Sequence, residues 1–343
     1  MEKLGEVRVL IVGYGNIGQA VLNHLPRYPD LELAGIVTRN PKRVSGRPEI
    51  QDPKIMVFDM SKQHWKNAGA QVAILCGGSK EDLPKQGPFF ARFINTVDSF
   101  DTHGHIGPYV EEGTGQPMLG YRQMMHLSAT DGHNTALICQ GWDPGTFSIM
   151  RALFIACLGG AHTHAFYGLT ERGGLSMGHS DALRRVPGVQ DARQYTHAIS
   201  VAIERVRSGE NPSLTDGEKH WRQCFVVLEP GADKATVEEA IKSMPNYFAP
   251  FQTTVYFIPQ EELNRKHAAM PHDGVVVAAT KYGSMEFSNT WASNPEGTAG
   301  ILLAAARAAV RLNKEGKTGA YTPLDVPMSY LLNMSDTEAL KLV

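Results

Sequence analysis

A six-residue stretch near the N-terminus constrains this chain more than any other feature. Gly13-Tyr14-Gly15-Asn16-Ile17-Gly18 fits the pattern G-x-G-x-x-G. It stands directly between an apolar run, VRVLIV over 7–12, and a segment over 19–25 with apolar residues at helical spacing. In that context each glycine has a physical task. The first permits a tight turn, the second lets backbone approach a pyrophosphate, and the third allows the helix to pack closely on the strand. The N-terminus of the helix then faces the phosphate charge. A glycine turn in an unrelated α/β protein is the bland alternative, and the strand-before, helix-after setting weighs against it.

The rest of the first half keeps the same rhythm. Strands are expected over 31–37, 54–58, 71–75, 93–97 and 136–139, with helices over 84–93 and 121–130 filling intervals. Strand–helix alternation of this kind predicts an α/β fold: a doubly wound, Rossmann-type parallel sheet covered on both faces. From about residue 142 the pattern changes. Asp143-Pro144 is expected to open a helix running to about 158, the aspartate as its cap and the proline in its first turn. Strands over 223–228, 253–258 and 275–280, with helices over 180–185, 195–208 and 235–243, read as a second, α+β domain. An alanine-rich helix over 300–313 can return to the first domain. The expected division is residues 1–141 for dinucleotide binding, with 295–343 packing back on it, and 142–294 for substrate binding and dimerisation.

Composition excludes several classes. The 343 residues are 42% hydrophobic, enough for full-sized cores and too apolar for a disordered chain. Lys plus Arg (33) nearly balance Asp plus Glu (35), so no basic field exists for nucleic acid. The apolar runs over 152–157 and 301–306 fall far below the ~20 residues of a bilayer span. No leader-like pattern opens the sequence. Cys76, Cys139, Cys157 and Cys224 form no CxxC pair, which reads as isolated thiols in a reducing, cytoplasmic setting.

Which dinucleotide binds depends on the end of the second strand. An NAD site usually carries an acidic residue there. Here the strand ends in Thr38-Arg39, with Lys42 and Arg43 beyond, while Asp30 and Glu32 come too early. A hydroxyl and a guanidinium suit a 2′-phosphate, so NADP is expected; a solvated basic loop is the alternative. Cys76-Gly77-Gly78-Ser79 ends the fourth strand, where the glycines let backbone pass close to the cofactor. Ser79 begins an S-x-x-D capping pattern with Asp82, and Cys76 reads as a packing residue.

Strand ends also mark the substrate side. TVDSFDTH over 96–103 offers Asp101, and GWDPG over 141–145 offers Trp142 and Asp143. Two carboxylates beside an indole suit a substrate ammonium, although Asp143 reads equally well as a helix cap and Asp101 as part of a turn. The stretch LSMGHSDALRR over 175–185 contains Ser, His and Asp but no G-x-S-x-G elbow, and Ser180 is most simply an N-cap. His103/His105 and His162/His164 lack the companions of a metal site, so no metal is expected.

These motifs converge. VGYGNIGQAV, LAGIVTRN, TVDSFDTH, GWDPGTFSI, GHSDALRRVPGVQDARQYT, KHWRQCFVV, MPNYF, MPHDG and SNPEGTA run in order over most of the chain. With them the chain resembles the meso-diaminopimelate dehydrogenase family. The resemblance implies NADP-dependent oxidative deamination of the D-centre of meso-2,6-diaminopimelate by a homodimer. It also implies site roles. Asp101, Trp142 and Asp143 would lie near the reacting centre, the two aspartates as catalytic candidates. Thr196, Arg222 and His272 would grip the distal L-centre. Asn294, Met177 and Gly178 would add contacts. Tyr167 stands where the family often has tryptophan, and Met177 where glutamine is common. The stretch over 107–120 looks inserted, and 169–174 looks expanded. Two other readings stay open: a related NADP-dependent amino-acid or semialdehyde oxidoreductase with relaxed D-amino-acid specificity, and a non-catalytic NADPH-binding sensor.

Overall fold

A computed structural model describes residues 5–343 except 112 and 246. Glu112 of the inserted stretch and Asn246 of MPNYF thus lie outside the described residues. The chain divides into two compact units, Met1–Ile149 with Pro295–Val343, and Met150–Asn294.

The first unit is built on strands β1 (Val7–Val12), β2 (Leu31–Thr38), β3 (Val57–Asp59), β4 (Val72–Leu75) and β5 (Asn95–Asp98). A small hairpin, β6 (Tyr109–Val110) and β7 (Pro117–Met118), occupies the inserted stretch, and β8 (Thr135–Leu137) follows. With Gly319–Tyr321 from the C-terminal segment they form a seven-stranded sheet in the order Gly319–Tyr321, β8, β5, β4, β1, β2, β3. Every pairing in it is parallel.

The apolar character of β1 follows from its central place. Val9 and Ile11 enter one core with Val21 and the alanine-rich helix Asn294–Lys314, through Leu302, Ala306 and Val310. Leu10 and Val12 enter another with Trp65, Phe90 and Tyr121. A strand buried on both faces cannot alternate apolar with polar residues, so it reads as a continuous run. The chain leaves β1 toward β2 and β3, then returns to β4 on the other side. That reversal puts the switch point, and the ligand crevice of such folds, at the carboxyl ends of β1 and β4.

The second unit carries β9 (His164–Tyr167), β10 (Gly174–Leu175), β11 (Val189–Ala198), β12 (His220–Leu228), β13 (Thr253–Phe257), β14 (His272–Thr280) and β15 (Gly283–Trp291). They form two sheets, β10-β11-β12-β13 and β15-β14-β9. One expectation fails here. Residues 195–198 belong to β11, and the helix begins only at Ser200 (Ser200–Arg207). QYTHA has no strong local preference. Pairing with β10 on one side and β12 on the other decides it.

Candidate active site

In the first unit three strand ends are tied together by backbone. Gly13 N–H donates to Val37 O at 2.8 Å, and Cys76 N–H to Val12 O at 2.7 Å. Gly13 has φ +90°, and a Cβ on Gly18 would lie 2.2 Å from Gly13 O. Gly15 caps the helix Asn16–His24, and a Cβ there would meet nothing within 4 Å. Open space above the second glycine, at the start of a helix, is the cradle a pyrophosphate needs. The residues present fit a dinucleotide. Ile17 packs against the core below. The Tyr14 ring is buried, with the Arg47 guanidinium 5.3 Å from its centroid. Burial, with Glu49 nearby, pushes its phenol up to about 12.

Thr38 is buried and its Oγ1 accepts Asn40 N–H at 3.3 Å, while Arg39 is 74% exposed and pairs with Asp82 at 3.1 Å. Burial pushes the Cys76 thiol up to about 12, as suits a packing residue. Ser79 is not a helix cap: the helix Leu83–Ala91 starts after Asp82, whose Oδ2 accepts Gly78 N–H at 3.1 Å. Instead Ser79 Oγ accepts the backbone N–H of Asp101 at 3.1 Å. This bond joins two predicted site segments, and Asp101 itself is exposed.

Asp143 is not a helix cap either. The helix is Thr146–Cys157, and Gly145 N–H, just before it, donates to Ser148 Oγ at 3.1 Å. The Asp143-Pro144 bond is cis. The turn closes through Gly141 N–H to Pro144 O at 3.0 Å and Thr146 N–H to Gly141 O at 3.1 Å. Only glycine fits at 145, with φ +142° and a hypothetical Cβ 1.6 Å from Gly141 O. Trp142 is buried, its indole edge-to-face with Phe147 at 5.1 Å.

The second unit gathers side chains distant in sequence. Thr196 on β11 and Arg222 on β12 are directly opposite in antiparallel register, so their side chains share a face. His220, two residues before Arg222 on the same strand, shares it too. Arg222 is 7% exposed. It donates to Thr196 Oγ1 and lies 4.0 Å over the Phe251 ring, its Nε has no partner, and among the described residues it pairs with no carboxylate. Burial pushes it down to about 10, so it stays charged at neutral pH. A buried guanidinium without an anion is costly, and its geometry matches a carboxylate.

Two histidines, His179 and His220, lie in the field of that charge without adding to it, and His272 is likewise held neutral. Burial, then the Arg222 charge, holds His179 and His220 down at about 3, and burial alone does the same for His272. His220 Nε2 accepts the backbone N–H of Tyr167 at 3.0 Å, and the Tyr167 ring stacks on its imidazole at 5.3 Å and 13°. Tyr167 OH accepts from Arg151 at 3.3 Å, and the Tyr167 and His272 rings lie 6.2 Å apart. A Cβ on Gly174 would sit 2.5 Å from His272 Nδ1. The helix Met177–Arg184 is capped by Ser176, which corrects Ser180 as the cap. Ser176 Oγ is 2.6 Å from His179 Nδ1, while Ser180 Oγ donates to Ser176 O and accepts Gln194 N–H. Met177 and Gly178 thus form the first helical residues, Gly178 exposed. Asn294 is buried, its N–H on Met270 O at 2.8 Å. His162 and His164 are both turned to Pro212 O.

His220 and Phe251 had not been singled out in the sequence, nor had Asp98, and His179 entered only through the rejected Ser–His–Asp reading. For His220 the signal was present. A strand begun at His220 rather than 223 alternates buried His220, Arg222, Cys224 and Val226.

With this geometry established, the relatives are decisive. The chain is 45% identical over 334 residues to the meso-diaminopimelate D-dehydrogenase of Ureibacillus thermosphaericus, covering 96% of each. It belongs to the diaminopimelate dehydrogenase family. The family model for the diaminopimelic acid dehydrogenase C-terminal domain matches residues 141–290. Among solved structures, Corynebacterium glutamicum diaminopimelate dehydrogenase in complex with diaminopimelate aligns at 38% identity and TM-score 0.85, over 98% of this chain and 99% of that one. An engineered D-amino acid dehydrogenase bound to NADP+ aligns at 37% identity and TM-score 0.82 with the same coverage.

Proposed function

We propose that the chain catalyses NADP-dependent oxidative deamination of the D-configured centre of meso-2,6-diaminopimelate. The products are L-2-amino-6-oxopimelate, ammonium and NADPH, and the reaction runs in both directions. The observation that carries this reading is Arg222, a buried cation beside neutral histidines that pairs with no carboxylate among the described residues. A carboxylate entering there forms charge-assisted bonds that also fix its plane.

Arg222, Thr196 and His272 hold the distal L-centre, and Tyr167, Met177, Gly178 and Asn294 add substrate contacts. Asp101 and Asp143 bind the ammonium of the D-centre, and the Trp142 indole keeps water from that side. When bound, the nicotinamide supplies the hydride acceptor. The protein's task is to hold one carbon of a flexible double zwitterion in place, which is chiefly positioning. The ammonium loses a proton to Asp101, Asp143 or water, the Cα–H leaves as hydride, and water adds to the resulting imine to release ammonium. Thr38 and Arg39 favour NADP over NAD, since a 2′-phosphate can take the guanidinium now on Asp82. A homodimer in the cytoplasm fits the usual state of the family and four free thiols.

The test follows absorbance on adding NADP, and separately NAD, with meso-, L,L- or D,D-diaminopimelate or a simple D-amino acid. Rapid NADPH formation with the meso isomer alone is the expected result. Turnover of simple D-amino acids would keep the reaction and refute the distal grip. No reduction with any of them, despite NADPH binding, would refute the dehydrogenase reading.

A further inference from the structure

Asp98, the last residue of β5, is fully buried, and among the described residues no lysine, arginine or histidine pairs with it. Its oxygens are filled from three other places. Oδ1 accepts the backbone N–H of Phe100 at 3.0 Å and of Cys139 at 3.2 Å, and Oδ2 accepts the Tyr121 hydroxyl at 2.7 Å. Its own carbonyl accepts Gln140 N–H at 2.7 Å.

What these bonds join gives them meaning. Phe100 immediately precedes Asp101. Cys139-Gln140 lead into Gly141-Trp142-Asp143. Cys139 has φ +60°, a left-handed conformation that is costly for a non-glycine residue. Such outliers persist only where surrounding bonds hold them, and here the Cys139 N–H is held by Asp98. The Tyr121 ring closes the other side, stacked on Phe100 at 4.0 Å and 14°. Burial and the charges of both Asp98 and Asp101 raise the Cys139 thiol, so this bend lies within the field of the two carboxylates.

We infer that Asp98 is a positioning residue of the deamination centre, its carboxylate clamping the turn that carries Asp101 to the bend that carries Trp142 and Asp143. The inference rests on the functional reading above. Asp98 touches neither substrate nor cofactor. It acts by holding in one arrangement the groups that do, and sub-ångström placement is where positioning catalysis is won or lost.

The experiment compares wild type with Asp98→Ala, Asp98→Asn and Tyr121→Phe, measuring kcat with meso-diaminopimelate and NADPH affinity by fluorescence. Asparagine keeps an oxygen for the two backbone N–H groups and offers Nδ2 to the tyrosine oxygen, whereas alanine removes every bond. Asp98→Ala is expected to lose about 100-fold in kcat with NADPH affinity within about twofold of wild type. Asp98→Asn should recover to within about 10-fold of wild type, and Tyr121→Phe should lose about 3- to 10-fold. An Asp98→Ala kcat within about threefold of wild type overturns the inference. So does a parallel loss of NADPH affinity and turnover that asparagine does not rescue. Should the alanine variant fail to fold, an unchanged kcat in Tyr121→Phe overturns it, and a selective loss supports it. A wild type that reduces no NADP with this substrate refutes the functional reading itself, and the inference with it. A wild type that turns over beside unaffected variants refutes only the role of Asp98.

Discussion

The two units solve recognition by opposite means. In the first, the candidate cofactor loop works through what is missing: without side chains at Gly13, Gly15 and Gly18 the backbone turns tightly, packs closely and leaves open space at a helix start. In the second, Thr196, His220 and His179 bring side chains from two strands and a helix to the charge of Arg222. A pyrophosphate is large and doubly anionic, so a contiguous loop of peptide dipoles can hold it. A carboxylate on a small flexible substrate needs a single, oriented cation in a water-poor setting. That requires a buried guanidinium whose neighbours are kept neutral.

The difference can be broken or sharpened experimentally. The largest effect is expected from Arg222→Met, about 10³-fold in kcat/KM for meso-diaminopimelate, or about 4 kcal/mol, with NADP affinity unchanged. An equal loss of cofactor affinity in steady-state and binding measurements would erase the division of labour. Gly18→Ala should act on the other side. Its new Cβ would meet Gly13 O at 2.2 Å, so NADPH affinity should fall about 10- to 100-fold and stability by about 1–3 kcal/mol. The KM for the amino acid should stay within about twofold. Fluorescence titration and thermal melting read both.

Acid should act through the second unit. In the unfolded chain imidazoles take protons near 6.5, while His179, His220 and His272 in the folded protein resist until about 3. The unfolded state therefore binds more protons between those values. The stability these groups contribute is complete above about pH 6.5 and is lost as pH falls toward 3. Urea unfolding at pH 7, 6 and 5.5 should show a summed loss on the order of 2 kcal/mol by pH 6 and about 4 kcal/mol by pH 5.5. A flat profile would mean the histidines are not held neutral. The smallest effect is expected for Arg39→Ala: about a 3- to 10-fold rise in KM for NADP and none for NAD, because the side chain is largely exposed and its field is screened.

The asymmetry also explains what could be read in advance. The glycine loop, the parallel first sheet and the strand-end positions of Asp101 and Trp142 follow from local pattern, because a strand buried on both faces and a phosphate loop each leave a contiguous signature. Three helix starts differ from the sequence expectation for one reason. Asp143, Ser79 and Ser180 all have cap chemistry, but the chain around them turns under longer-range constraints, and the structure uses Gly145, Asp82 and Ser176 at those helix starts. Residues 195–198 went to a strand because their partners lie on β10 and β12.

By itself the sequence determined which stretches would be buried on both sides, where a dinucleotide would rest, and that the chain carries the residue types of an amino-acid dehydrogenase. Only the tertiary structure decided that Arg222 pairs with no carboxylate among the described residues, that His179 and His220 beside it are neutral, and that Asp98 ties two loops together. The reason is physical. Glycine freedom and apolar periodicity act between near neighbours and are written in sequence order. Desolvation and the direction of a buried hydrogen bond depend on atoms that folding brings from far along the chain.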